Sequence, residues 1–123
     1  MITKKHIDNV HESVLSYCNT TREIEFDPEK AKTNWQEHKI RFETASLVFA
    51  DPMRIERLDD SKNNTSEEER WQTLGMANNV LFVVYTERGE ITRIISARPA
   101  DKAEKRSYYG HDKDNRKGWT KAD

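Results

Sequence analysis

The stretch from Val80 to Tyr109, VLFVVYTERGEITRIISARPADKAEKRSYY, constrains the fold more than any other part of the 123-residue chain. Val80–Tyr85 is an unbroken run of apolar or β-favouring residues, the pattern of a strand covered on both faces. Glu87-Arg88-Gly89-Glu90 carries turn chemistry, with Gly89 free to take positive φ. Ile91–Ala97 then alternates, which places Ile91, Arg93, Ile95 and Ala97 on one face and Thr92, Ile94 and Ser96 on the other. Pro99 suits a helix first turn, and Ala100–Tyr109 holds no further breaker. The spacing predicts a hairpin that ends in a basic helix.

Upstream, Met1–Cys18 has Ile7, Val10, Val14 and Cys18 at helical spacing, an amphipathic helix that packs on the domain or docks a partner. Ile24-Glu25-Phe26 reads as a short edge strand. Asp27-Pro28 opens a helix, with Ala31, Trp35 and His38 as its semi-apolar stripe. A second short helix is expected over Glu43–Phe49, ended by Asp51-Pro52, followed by a strand over Met53–Leu58. Asp59–Glu69 has no apolar residue and reads as an exposed loop, and Arg70–Leu74 as a strand. His111–Asp123 is charged and aperiodic, a frayed or disordered tail. The expected class is α+β: a small, mainly antiparallel sheet with N-terminal helices and a C-terminal helix.

Charge is unevenly spread. Residues 1–87 hold 11 Lys+Arg against 16 Asp+Glu, whereas residues 88–123 hold 10 against 6, within an overall net charge of −1. The basic second part is either solvated surface or a nucleic-acid contact face. Cys18 is the single cysteine, so no intramolecular disulfide and no cysteine-based zinc cluster can form. His6 and His11, five residues apart, fall on different helix faces and make poor metal ligands. No apolar run approaches a bilayer span, and a cytoplasmic location is expected.

Several blocks, in order, resemble a known family. They are Glu25-Phe26-Asp27-Pro28-Glu29-Lys30-Ala31, Asn34, His38, Phe42-Glu43-Thr44-Ala45 and Val48-Phe49-Ala50-Asp51-Pro52. Glu69-Arg70-Trp71, Gly75, Val83–Arg88, Arg93–Arg98, Ala100, Glu104 and Tyr108 follow. Together they are similar to BrnT, the toxin of BrnT/BrnA type II toxin–antitoxin systems. The resemblance implies a RelE-like ribonuclease fold, RNA cleavage that arrests translation, and a ribbon-helix-helix antitoxin of the BrnA kind. It also implies a heterotetramer of two toxins and two antitoxins. The resemblance covers about residues 24–109 and says nothing of the rest, so the chain is read as an N-terminal helical extension (1–22), a BrnT-like toxin domain (23–110) and a polar, disordered tail (111–123). Two departures stand out: the family usually has Lys-His-Gly where this chain has Glu37-His38-Lys39.

Cutting RNA without a metal takes a base for the 2′-hydroxyl proton, cations for the phosphorane and an acid for the leaving 5′-oxygen. No cofactor is called for. Arg93, mid-strand, either grips phosphate or pairs with a cross-strand acid. Arg98, at the strand end, is placed for a site rim. His38 is either the candidate titrating group near neutral pH or a satisfied structural histidine, and Tyr108 stacks on a base, donates a proton or packs on the core. Lys102 and Arg106, four apart on one helix face, extend an RNA track or are solvated, with Arg70 and Arg88 as further RNA-binding candidates. The expected function is thus a metal-independent endoribonuclease toxin acting on mRNA, free or on the ribosome. The alternatives are a catalytically inactive RNA-binding or regulatory protein on the same fold, and an interaction module that docks through Met1–Cys18.

Overall fold

The hairpin forms as its residues dictate. In the computed structural model, which describes residues 2–5, 15–19, 22–60, 68–110 and 118–122, strand β6 spans Val80–Arg88 and β7 spans Ile91–Pro99. They are joined by a tight turn in which Gly89 takes φ +63°. The remaining strands are β1 Ile2–Lys5, β2 Leu15–Asn19, β3 Arg22–Phe26, β4 Ile55–Leu58, β5 Trp71–Met76 and β8 Thr120–Lys121. The helices are α1 Pro28–His38, α2 Phe42–Ala45, continued by a 3-10 turn Ser46–Ala50, and α3 Lys102–Tyr109. The described strands make one sheet in the order β1-β2-β3-β7-β6-β5-β4-β8. Every neighbouring pair is antiparallel except β3 with β7. The α+β class and mainly antiparallel sheet follow the sequence reading.

The expected alternation of β7 breaks at one point. Val84 pairs with Ser96 and Tyr85 with Ile94, so Ile95 is an extra residue, a β-bulge. Beyond it the faces exchange, and Ala97 joins Ile94 instead of Ile91 and Arg93. One sheet face carries Ile24, Phe26, Leu81, Val83, Ile94 and Ala97 beneath Phe42, Ala45 and Val48 of α2 and the 3-10 turn. Here Gly75 is required by space, because a Cβ would sit 2.7 Å from that of Val48. The other face packs Ile55, Leu74, Val80, Phe82 and Val84 against Ala100, Tyr108 and Trp119, with Ile95 alongside.

Helix α1 starts as predicted, Asp27 accepting the Glu29 N–H at 2.9 Å and Pro28 in the first turn. Its buried residue, however, is Asn34, while Trp35 is 39% exposed. The reason lies in strand lengths. β3 pairs with β7 only from Glu23↔Ile91 to Phe26↔Ile94, leaving the edge of β7 open beyond. The Asn34 carboxamide closes it, accepting from Ala97 N–H at 3.0 Å and donating to Ala97 C=O at 2.8 Å. The same amide nitrogen donates to Ile40 C=O at 3.0 Å. A polar side chain is therefore inward where periodicity favours an apolar one.

The expected helix over Met1–Cys18 is corrected. Ile2–Lys5 and Leu15–Asn19 are antiparallel strands, and β2 pairs with β3, so β3 is an interior strand rather than an edge. Residues 6–14 of that prediction lie outside the described residues. An unpaired β3 edge outweighs a weak helical stripe. The tail is corrected too: Thr120–Lys121 pairs with β4, and Trp119 is buried edge-on to Phe82, with Arg57 4.1 Å over its ring. One large aromatic anchors a segment that has no periodicity to reveal it. Residues 111–117 and 61–67 are outside the described set, though Asp59, expected in an exposed loop, is buried and accepts from Gln72 at 3.1 Å.

Two outcomes test this account. Asn34→Ala leaves the Ala97 N–H and C=O without that partner and should cost about 2–4 kcal/mol, read as a lower urea midpoint at unchanged slope. Lys39 closes α1 in the left-handed region at φ 59°. Lys39→Gly should therefore raise the melting temperature by a few degrees, relief of about 1 kcal/mol of backbone strain.

Candidate functional site

The parallel β3/β7 pair sets Glu25 directly beside Arg93, and the guanidinium Nη1 lies 2.9 Å from Glu25 Oε1. Arg88, from the end of β6, brings its own Nη1 to 3.7 Å from the same oxygen. Arg88 also forms a two-pronged pair with Glu68, at 2.7 Å and 3.0 Å. That pair raises the Arg88 pKa and, with the fields of Arg93 and Arg70, holds the Glu68 carboxyl below the usual range. Thr86 stands opposite Arg93 in the ladder. Its hydroxyl and the Nε of Arg70 are buried with no hydrogen-bond partner among the described residues. Three guanidinium groups thus converge on two carboxylates, on the sheet face that also carries α3. Glu25 and Arg93 are mostly covered, Arg88 and Glu68 more open.

Three of the five arginines singled out in the sequence, Arg70, Arg88 and Arg93, are therefore brought together. Arg98 shares their face only because of the Ile95 bulge. Five residues on, it lies roughly 15 Å along the strand. It is held elsewhere: its fork grips Glu104 at 2.9 Å and 2.8 Å, and its guanidinium stacks 4.1 Å over Phe82. The hydrogen bond to Glu104 raises the Arg98 pKa. Glu104 in turn completes a capping box with Asp101, so Arg98 fixes the start of α3. Lys102 and Arg106 lie exposed on that helix.

Tyr108 is buried, and its hydroxyl donates to Asp51 at 2.6 Å. Burial and this bond push the tyrosine well above its ordinary pKa, which makes it a poor proton donor at neutral pH. His38 ends α1 with Glu37 at 3.9 Å and lines a shallow groove with Ile95 and Ser96, apart from the arginine cluster. On the opposite sheet face, Arg54 is buried against Glu56, Thr73 and Phe49, and Tyr85 donates to Glu56 at 3.1 Å. Burial, chiefly, raises the Tyr85 pKa far above its usual value. Sequence reasoning missed Glu25 and Glu68 as members of the site. Glu25 was legible as the outward residue between Ile24 and Phe26, but its partner depends on a parallel pairing that no local pattern announces.

A sequence model described as "Ribonuclease toxin, BrnT, of type II toxin-antitoxin system" matches residues 26–104. The chain belongs to the BrnT family. Among solved structures, the 1.1 Å crystal structure of the Brucella abortus ribonuclease toxin BrnT is similar, at 20% identity and a TM-score of 0.45. That similarity covers 63% of this chain and 94% of the Brucella one. No curated protein matches. The BrnT-family match begins after Glu25 and encloses Arg70, Arg88, Arg93 and Arg98.

Asp51 gives the site face a pH signature. Burial alone would raise its pKa, but bonds from the Tyr108 hydroxyl and the Met53 and Met76 amides, with Arg54 nearby, outweigh it and lower it. A depressed folded-state pKa adds stability that is present above the unfolded value and lost as pH falls through the folded one. The parent should gain stability between about pH 2 and pH 5, and Asp51→Asn should show a flatter rise, measured by urea unfolding across that range.

Proposed function

We propose that this BrnT-family chain cleaves RNA at the Glu25–Arg93 cluster, without a metal. The observation that carries the reading is the convergence of Arg88 and Arg93 on one mostly covered carboxylate, Glu25, with Arg70 acting on the neighbouring Glu68. A phosphodiester laid across the cluster exchanges carboxylate oxygens for phosphate oxygens on the arginine forks. Glu25, released from Arg93, takes the 2′-hydroxyl proton. The 2′-oxygen attacks phosphorus, and the guanidinium groups hold the added negative charge. The 5′-oxygen leaves with a proton from solvent, since Glu68 is kept ionised and Tyr108 is committed to Asp51. Arg98, Lys102 and Arg106 continue the cationic face along α3, with Arg98 chiefly a positioning residue.

The partners that go with this reading are an mRNA substrate and a BrnA-like ribbon-helix-helix antitoxin in a two-plus-two assembly, in the cytoplasm. None of the described helices is long and apolar enough to cross a membrane. A second reading has its own support. Each of Arg88, Arg93 and Arg98 is already neutralised by a carboxylate, and Glu37 reverses a charge the family usually carries. On that reading the protein binds RNA or regulates without cutting.

RNA cleavage in EDTA separates the two. The parent should cut. Arg93→Ala and Glu25→Gln, shown to be folded, should each lose about 100-fold or more of the rate. Arg98→Ala should lose stability before it loses activity. A parent that binds RNA without cutting it would leave the second reading.

A further inference from the structure

Trp35 follows the buried Asn34 on α1, about 100° round the helix, and is 39% exposed with two cations against its ring. The Arg41 guanidinium is 4.4 Å from the ring centroid and the Lys39 ammonium 5.4 Å. Trp35 and Arg41 together line two grooves, of about 280 Å³ and 230 Å³. The first adds Lys32, Pro28 and Glu43, the second Lys39, Asn78 and Asn79. The charges here differ in kind from those of the sheet. Arg22, Arg54, Arg88, Arg93 and Arg98 each have a carboxylate within ion-pair distance. Among the described residues, Lys32, Lys39 and Arg41 have none. An open indole beside unneutralised cations is the chemistry that holds unpaired nucleobases and their phosphates.

We infer that the Trp35–Lys39–Arg41 patch is a second, non-catalytic site that grips single-stranded RNA by stacking a base on Trp35 and pairing phosphates with the flanking cations. This rests on RNA being the ligand of the arginine cluster. Arg41 offers a planar guanidinium that extends the stack, and Lys39, on a flexible stem, yields the ring face to a base. The patch borders Leu81 at one end of β6, and the cluster borders Arg88 at the other. Leu81 and Arg88 are seven positions apart, about 23 Å along the strand, and lie on opposite faces of the sheet. A dinucleotide cannot reach both, so the patch acts on longer strands.

The test uses the full chain and a single-stranded, uncleavable 2′-O-methyl RNA of about a dozen nucleotides. Fluorescence anisotropy gives affinity, and thermal melting checks each variant's fold. Trp35→Ala should weaken binding about tenfold, the size of one base–aromatic stack. Trp35→Phe should keep most of the affinity but lose the quenching of tryptophan emission that RNA causes in the parent. Lys39→Gly should lower the dependence of log affinity on log salt by roughly one contact. Trp35→Ala binding within twofold of the parent, or quenching that persists in Trp35→Phe, would overturn the inference and leave the ribonuclease reading untouched. A parent that retains no RNA overturns both. A parent that binds this RNA, loses affinity on Trp35→Ala and yet cuts no unmodified RNA in the EDTA assay sustains the patch while the ribonuclease reading falls.

Discussion

The arrangement hangs on a mismatch in strand length and the carboxamide that resolves it. β7 runs past the end of its parallel neighbour β3, exposing a peptide edge in the middle of the molecule. Asn34 presents a donor and an acceptor in one fixed plane, and so imitates the missing strand at Ala97. Its second amide hydrogen reaches Ile40, which ties the α1–α2 connection to the same point. Helix α1 is thereby placed along the sheet edge. α2 then lies over the core face and Trp35 is turned outward. An apolar residue at position 34 would fill the space but leave the edge unsatisfied, which is the costlier fault in a buried place.

The bulge at Ile95 has a comparable reach. By inserting one residue it moves Ala97 to the core face and Arg98 to the face of Arg93. Charge on that face comes pre-arranged, with Arg88, Arg93 and Arg98 each held by a carboxylate. Glu25 belongs to β3, Glu104 to α3, and Glu68 precedes β5. Pairs of this sort fix side-chain geometry at little net gain in stability. Their consequence is that the guanidinium forks are held in fixed orientations before any ligand arrives.

Much of this was readable from the residues. The long run Val80–Tyr85, the glycine turn and the Asp27-Pro28 start each state their structure locally, and the structure agrees. What failed were features decided at a distance. The helical spacing of Ile7, Val10, Val14 and Cys18 says nothing of the open β3 edge that Leu15–Asn19 fills. Trp119 stands alone among charges, so its burial could not be inferred from a pattern. The bulge falsified a clean alternation without a glycine to mark it. For the site, the basic character of Arg70, Arg88 and Arg93 was legible, whereas the carboxylates that gather them were not, because register across β3 and β7 lies outside any window of sequence.

The ladder between Glu25 and Arg93 joins residues 68 positions apart. Pairings of that separation form late, since a long loop must close before they are rewarded. During synthesis, β3 emerges well before β7, so Glu25 waits through most of the chain for its arginine. The cationic cluster has no partial version: until the parallel ladder closes, Arg88 and Arg93 are ordinary solvated side chains with no common focus. A chain cut short anywhere before Arg93 therefore lacks the cluster altogether, and the gathered charge appears only with the finished fold.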